Sequence, residues 1–324
     1  MIVRWGLGDL APLLSELGMS RPLLVTTRRW SGLELPVARV FDGVRSHAGV
    51  EGVAAAVEAA GAADGLVALG GGSAIDTAKA VSARTGLRVV SIPTTYSGAE
   101  WTDFFGMRDE EAGVKRGGAG ALVAGIVYEP ELTLGLPRGE TGGTALNALA
   151  HCAEALYVSG RNEDADREAL AGATLISREL PRVLADGRDR DARRALLEGA
   201  MHAGAAMAGA GLGLGHAMAQ ALGGHFGLPH GALNALCLPA ALRFNAEAAV
   251  AEIDRFARAM GVSDAAARVE ELGRLAGFVR LSDLGVREEE LDAVAEAAAV
   301  RAGARANPRP ASPAEIAELY RSIL

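Results

Sequence analysis

The hydrophobic pattern changes partway along the chain. Up to about residue 137, short continuous apolar runs bounded by turn residues alternate with stretches of helical periodicity. The runs RPLLVTT (21–27), DGLVALG (64–70) and LRVVSIP (87–93) lack the polar alternation of a half-exposed strand. They predict strands buried on both faces of a parallel sheet. GVEGVAAAVEAAGA and AIDTAKAVSAR fall between such runs and predict helices. Strand–helix alternation of this kind predicts an α/β fold, an open doubly wound parallel sheet, over residues 1–137. After Leu136-Pro137 the strand signals stop. DADREALAGATLISRELPRVLADG, DARRALLEGAMHAGAAMAG, ALNALCLPAALRFN and REEELDAVAEAAAVRAG all fit amphipathic or buried helices. Residues 138–324 are therefore expected to form an all-helical substrate and catalytic domain, and the cleft between the domains is the expected site. No fixed-period repeat or low-complexity linker interrupts either half.

Composition narrows the function. The chain has 324 residues, half of them apolar, and a net charge of -8. It is globular, and its acidity argues against nucleic acid or an anionic membrane as partner. No apolar run approaches the roughly 18 residues that span a bilayer, and the start, MIVRWGLGDLAPLL, has no charged-then-apolar leader. Cys152 and Cys237 lie in apolar helical contexts and read as buried thiols of a cytoplasmic protein. Lysine is nearly absent: Lys79 and Lys115 stand against thirty arginines.

Two loops carry candidate binding chemistry. LVALGGGSAIDTAKA (66–80) is a buried strand, a glycine triplet (Gly70, Gly71, Gly72), Ser73 and a helix. Glycines let the backbone approach a ligand, and the N–H groups of the following helix favour an anion, so a pyrophosphate is the expected guest. Ser73 and Asp76 have the spacing of a capping box. The triplet departs from G-x-G-x-x-G. After the next strand, SIPTTYSGAEWTDFFGM (91–107) presents Thr94, Thr95, Tyr96 and Ser97 where ligands of open α/β sheets bind; an ST-turn is the bland alternative. The strand LLVTTRR ends in Thr26-Thr27 and Arg28-Arg29, with no acid for a ribose 2′-OH and two arginines able to meet a 2′-phosphate. Thr27 joins the expected cofactor residues, and NADPH is expected to be accepted.

The helical half carries the catalytic candidates. In TALNALAHCAEALY (144–157), Asn147 and His151 are four apart and share a helical face. A metal site would use that spacing but would prefer a carboxylate at 147. GLGLGHAMAQALGGHFGLPHGALNA (211–235) adds His216, His225 and His230. His216 and Gln220 share a face, Gly223-Gly224 is expected to break the helix, and Pro229 suits the first turn of the next helix with His230 at its start. A metal site, a metal-free site and hydrogen-bonded core histidines all remain open on this pattern.

Five motifs, GGGSAIDTAKA, IPTTYSGAEWT, NALAHCAEALY, GHAMAQALGGHFGLPHGALNA and NPRPASPAEIAELY, together resemble the group III iron-dependent alcohol dehydrogenase superfamily, in its order, from residue 64 to the end. Metal-dependent members hold their ion with an aspartate and three histidines, matched here by positions 147, 151, 216 and 230. Asn147, PTTY and YEPELTLGLP (128–137) look like the maleylacetate reductase branch. Gln220 stands where both branches commonly carry histidine, Ala99 where serine is usual, and PHGALNA looks more like the alcohol dehydrogenases. The resemblance implies an NAD(P)H-dependent oxidoreductase that reduces an activated enoate, maleylacetate to 3-oxoadipate, in aromatic compound degradation. It implies catalysis by His151, His216, His230 and Asn147 with no essential metal. Lys115 would lie by the cofactor, with Gly70, Gly71, Gly72, Ser73, Asp76, Thr94, Thr95 and Ser97. A small anionic substrate and a second copy of the chain, as a homodimer, are the expected partners. The alternatives are a Zn²⁺- or Fe²⁺-dependent alcohol or aldehyde dehydrogenase using the same three histidines, a cyclase related to dehydroquinate synthase, and a binding protein that kept the fold.

Overall fold

The computed structural model describes residues 1–45, 49–109 and 114–324. They divide into two compact units, Met1–Thr95 with Ala99–Thr133, and Tyr96–Gly98 with Leu134–Leu324.

The first unit is built on a six-stranded parallel sheet. In chain order its strands are β1 (Ile2–Trp5), β2 (Leu23–Thr26), β3 (Arg39–Phe41), β4 (Leu66–Gly70), β5 (Arg88–Pro93) and, after the antiparallel hairpin β6 (Phe105–Asp109) and β7 (Val114–Gly118), β8 (Leu122–Tyr128). The spatial order is β1-β8-β5-β4-β2-β3. Alternation along the strands splits the core in two. Leu23, Val25, Leu66, Ala68 and Val89 pack under helices α2 (Val50–Ala60) and α3 (Gly72–Thr85). Leu24, Val67, Leu69, Val90 and Ile92 face Leu10, Leu13 and Leu14 of α1 (Leu10–Glu16). Residues facing both ways are buried, which is why β2, β4 and β5 appear as unbroken apolar runs.

The sequence pattern did not single out β1, β3 or β8. β1 is four half-buried residues at one edge, and β3 at the other edge is mostly exposed. β8 begins exposed and becomes buried only from Gly125. The chain runs from β2 outward to β3, then returns to place β4 on the other side of β2. The carboxyl ends of β2 and β4 therefore flank the topological switch point, where open α/β sheets leave a crevice for a ligand.

The second unit is helical. Its first members are α4 (Arg138–Ala155), α5 (Glu163–Ala185), α6 (Arg190–Ala210), α7 (Leu214–Phe226) and α8 (His230–Asn245). Asn162 caps α5 by accepting from the Ala165 N–H, and Asp189 caps α6 from that of Ala192. α4 is buried along almost its whole length. Two glycines let α8 seat directly on it: a Cβ on Gly231 would lie 2.5 Å from the Gly143 carbonyl carbon. That close approach brings the first turn of α8 beside the middle of α4. The tripeptide Tyr96–Gly98 packs with these helices, where the Tyr96 hydroxyl accepts a 3.1 Å bond from buried Arg193. The expected break at Gly223-Gly224 does not occur. α7 continues through both glycines and ends at Gly227, whose φ of 70° places it in the left-handed C-cap conformation. Among the described residues no helix is long and apolar enough to cross a membrane.

Candidate active site

In the first unit the glycine triplet turns the chain from β4 into α3. Gly70 has φ +146, and a Cβ there would lie 2.9 Å from the Ala74 Cβ, so both conformation and space demand glycine. Its carbonyl accepts from the Thr94 N–H at 3.0 Å, tying the loop after β5 to the triplet. The structure thus brings Gly70, Gly71, Gly72, Thr94 and Thr95 together. Thr27 lies at the end of β2, where it bridges Gly43.

A Cβ on Gly71 would meet the Thr95 Cγ2 at 2.9 Å, so this glycine also makes room for Thr95. The start of α3 differs from the expected one. The N-cap of α3 is Gly71, with no side-chain cap, so Ser73 lies inside the first turn and the Ser73–Asp76 capping box is not formed. Asp76 instead accepts from the Gly106 N–H at 3.1 Å and pairs with Lys79 at 3.1 Å. Lys115 contributes backbone to β7, opposite Arg108, but its side chain lies outside the described residues, as does all of His47.

In the second unit α4, α7 and α8 bring Asn147, His151, His216 and His230 together. The His151 and His216 rings stack with centroids 4.7 Å apart, and those of His216 and His230 are 5.7 Å apart. Asn147 joins the group to the tripeptide: its Nδ2 donates to the Ser97 carbonyl at 3.1 Å and lies 3.5 Å from His151 Nε2. Ser97, expected at the cofactor, is thus placed by its carbonyl beside Asn147. The Asn147 NH₂ group faces these neighbours. The Asn147 Oδ1 accepts from Asn234 Nδ2 at 2.8 Å and faces His216 Nε2 at 3.3 Å. His225 is not part of the cluster; it is exposed and pairs with Glu290 at 2.5 Å.

Glu154 and Asn234 complete the network, and the sequence reading assigned neither a role. Fully buried Glu154 accepts from the Gly213 N–H at 2.7 Å and the His216 N–H at 3.0 Å, and its Oε2 holds His216 Nδ1 at 2.6 Å. Gly213 and Gly215 give it room, since a Cβ on either would come within 3.1 Å of the Glu154 side chain. The carboxylate fixes the proton on His216 Nδ1 and directs Nε2 into the cluster. Asn234 Nδ2 also contacts His230 Nε2 at 3.0 Å. The missed signal was present: Glu154 lies seven residues after Asn147 and three after His151 on one buried helical face.

Burial holds His151 well below the ordinary histidine range, and the neighbouring His216 and His230 push the same way. A protonated His151, which would suit an anionic substrate, is therefore not what this interior provides. His151 Nδ1 is buried with no partner. The two cysteines are free and buried, and burial pushes both thiols up.

The residues do not fit a divalent ion as they stand. The position a carboxylate would occupy is a neutral amide whose oxygen already accepts from Asn234, and that same NH₂ group engages His230 Nε2.

Comparison with known proteins assigns the family. The iron-containing alcohol dehydrogenase model matches residues 4–124, and the Fe-containing alcohol dehydrogenase C-terminal model matches residues 141–324. Maleylacetate reductase of Burkholderia cepacia is 38% identical over 278 residues, covering 81% of this chain and 78% of that protein. The crystal structure of maleylacetate reductase from Agrobacterium tumefaciens superposes with a TM-score of 0.91 at 34% identity, covering 100% of this chain and 95% of that one. A putative alcohol dehydrogenase from Ralstonia eutropha JMP134 gives 0.93 at 36%, covering 99% and 95%. The chain belongs to the iron-containing alcohol dehydrogenase family, in its maleylacetate reductase branch, and is an NAD(P)-dependent oxidoreductase.

Proposed function

We propose that this enzyme reduces an activated enoate dicarboxylate of the maleylacetate type to a 3-oxoadipate-type product, with no essential metal. The observation that carries the reading is Asn147. Where a metal site needs its anionic ligand, this chain has an amide hydrogen-bonded to Ser97 and Asn234.

When bound, the reduced nicotinamide cofactor would supply a hydride to one carbon of the C=C bond, and the other carbon would take a proton. Negative charge develops meanwhile on the adjacent ketone oxygen. Stabilising that oxygen is the task a Lewis acid would otherwise perform, and imidazole N–H donors in a buried site can perform it. His151 is held neutral and offers one N–H. His216, with its Nδ1 proton fixed on Glu154, carries the proton in or out at Nε2. His230 is oriented by Asn234. The glycine triplet, Thr94 and Thr95 would hold the cofactor's phosphates, and Thr27 at the end of β2 would join them. Arg28 and Arg29 follow β2, so NADPH is accepted as well as NADH.

Purified protein is dialysed against chelator and assayed with NADH and NADPH on maleylacetate and on simple aldehydes. Maleylacetate reduction survives chelation if the reading holds. Activity that disappears with chelation and returns only with Fe²⁺ or Zn²⁺ points to the metal-dependent alcohol or aldehyde dehydrogenase, which the stacked imidazoles of His151 and His216 would favour.

A further inference from the structure

α7 carries more than His216 on its inward face. Gln220 and Gly224 follow at successive four-residue steps, so the three positions form one line along the helix. Each step advances about 6 Å along the axis. A cation, Arg301, lies along this line beyond the histidines. Arg301 Nη1 is 3.5 Å from Gln220 Oε1, and its Nη2 would be 3.8 Å from a Cβ on Gly224.

Arg301 has an unusual set of neighbours. Most arginines of this chain with a described contact pair with Asp or Glu on the surface, as Arg182, Arg309 and Arg321 do. Arg301 makes no ion pair among the described residues. Its Nε is buried without a hydrogen-bond partner, and the side chain is only partly exposed. The titratable group beside it is Tyr320, whose hydroxyl is spent on the Met218 carbonyl at 2.9 Å. A guanidinium that has lost part of its water and gained no carboxylate costs stability. That cost is offset when an anion arrives, and the planar fork suits a carboxylate bidentately.

We propose that Arg301 binds a carboxylate of the substrate, placed one to two helical turns from the histidine cluster by Gln220. The inference rests on the reductase reading for which substrate is meant, but not for the anion site itself. It also gives Gln220 a function: its amide oxygen steadies the guanidinium, which a protonated histidine at that position would repel.

Two variants, Arg301→Leu and Arg301→Lys, test it. Binding of maleate, an unreactive dicarboxylate, is measured by calorimetry on the NADP⁺-loaded enzyme, beside turnover of maleylacetate and of its neutral dimethyl ester. Arg301→Leu weakens maleate binding and raises the KM for maleylacetate by about ten- to a hundredfold, the range for a lost hydrogen bond to a charged group. Kinetics with the diester, cofactor affinity and melting temperature stay near wild type. Arg301→Lys recovers part of the loss, since it restores charge without the fork. Unchanged maleate affinity in Arg301→Leu overturns the proposal. Equal losses for acid and diester overturn it too, as does a wild-type enzyme that binds no maleate. If wild type binds maleate through Arg301 yet does not reduce maleylacetate, the reductase reading fails and the anion site stands.

Discussion

Glu154 and His216 form a buried carboxylate–imidazole pair, Oε2 to Nδ1 at 2.6 Å, in which both side chains are almost wholly excluded from solvent. The same carboxylate also receives two backbone N–H groups at the start of α7. One residue of α4 therefore sets both the position of α7 and the tautomer of its histidine. Glu154→Gln keeps the volume but turns one acceptor into an NH₂ group facing backbone N–H donors. The expected cost is about 1–3 kcal/mol for a buried donor left unsatisfied. The melting temperature should fall by several degrees and kcat by more than the stability loss explains. Unchanged kcat in a folded variant would show that the pair is structural only.

The fold of the first unit was legible wherever residues are buried on both faces. β2, β4 and β5 have such runs, and the structure places each within two residues of the expected ends. β3 could not be found this way because an exposed edge strand of three residues leaves no apolar signature. The histidine cluster was legible because four-residue spacing on α4 and the Pro229 start of α8 are local signals. Glu154 was not assigned because its partners lie about sixty residues away, and only the fold shows that Gly213 and Gly215 make room for it. The continuity of α7 through Gly223-Gly224 is a tertiary override: helix propensity disfavours the pair, but packing in a core with Leu222 and Leu233 holds the turn.

Lys79 was noticed only for its rarity. Its ammonium is buried, donates to the Ala99 and Phe104 carbonyls at 2.7 and 2.5 Å, and pairs with Asp76. It thus fixes the segment after the hydroxyl-rich loop to α3. Lys79→Met fits the space but takes the ammonium away from two carbonyls and from one oxygen of the Asp76 carboxylate, which keeps the Gly106 N–H. A loss of about 3–5 kcal/mol is expected, as for breaking a buried pair from one side. Chemical denaturation measures it; a loss below 1 kcal/mol would mean that water replaces the ammonium.

His151 gives the protein an acid limit. Its folded pKa is depressed by burial and by two neighbouring imidazoles, whereas in the unfolded chain it titrates near 6.5. Below that value the unfolded state binds the proton first. The stabilisation is present above about pH 6.5 and is lost as pH falls from there toward the folded value. Melting temperature should therefore decline between pH 7.5 and 5.5 more steeply in wild type than in His151→Gln. Parallel declines would place the acid sensitivity elsewhere.

Asn147→Asp separates the metal-free reading from its rival most directly. The substitution keeps size and shape but removes the NH₂ that donates to the Ser97 carbonyl and faces His151. A carboxylate oxygen would then oppose a carbonyl oxygen, costing about 1–3 kcal/mol unless a cation arrives to separate them. A divalent ion meets that need, since the new carboxylate lies four residues before His151 on α4 and close to His216 and His230. The variant should bind Zn²⁺ more tightly than wild type by calorimetry, and its melting temperature should rise when Zn²⁺ is added. Enoate reduction should fall at least tenfold without metal, because a fixed anion would stand where the ketone oxygen gathers charge. Wild-type protein that already carries one tightly held metal per chain, and loses activity when it is stripped, would mean that an amide and three imidazoles suffice. The hydrogen bonds now joining Asn147, Asn234 and His230 would then have to rearrange around the ion.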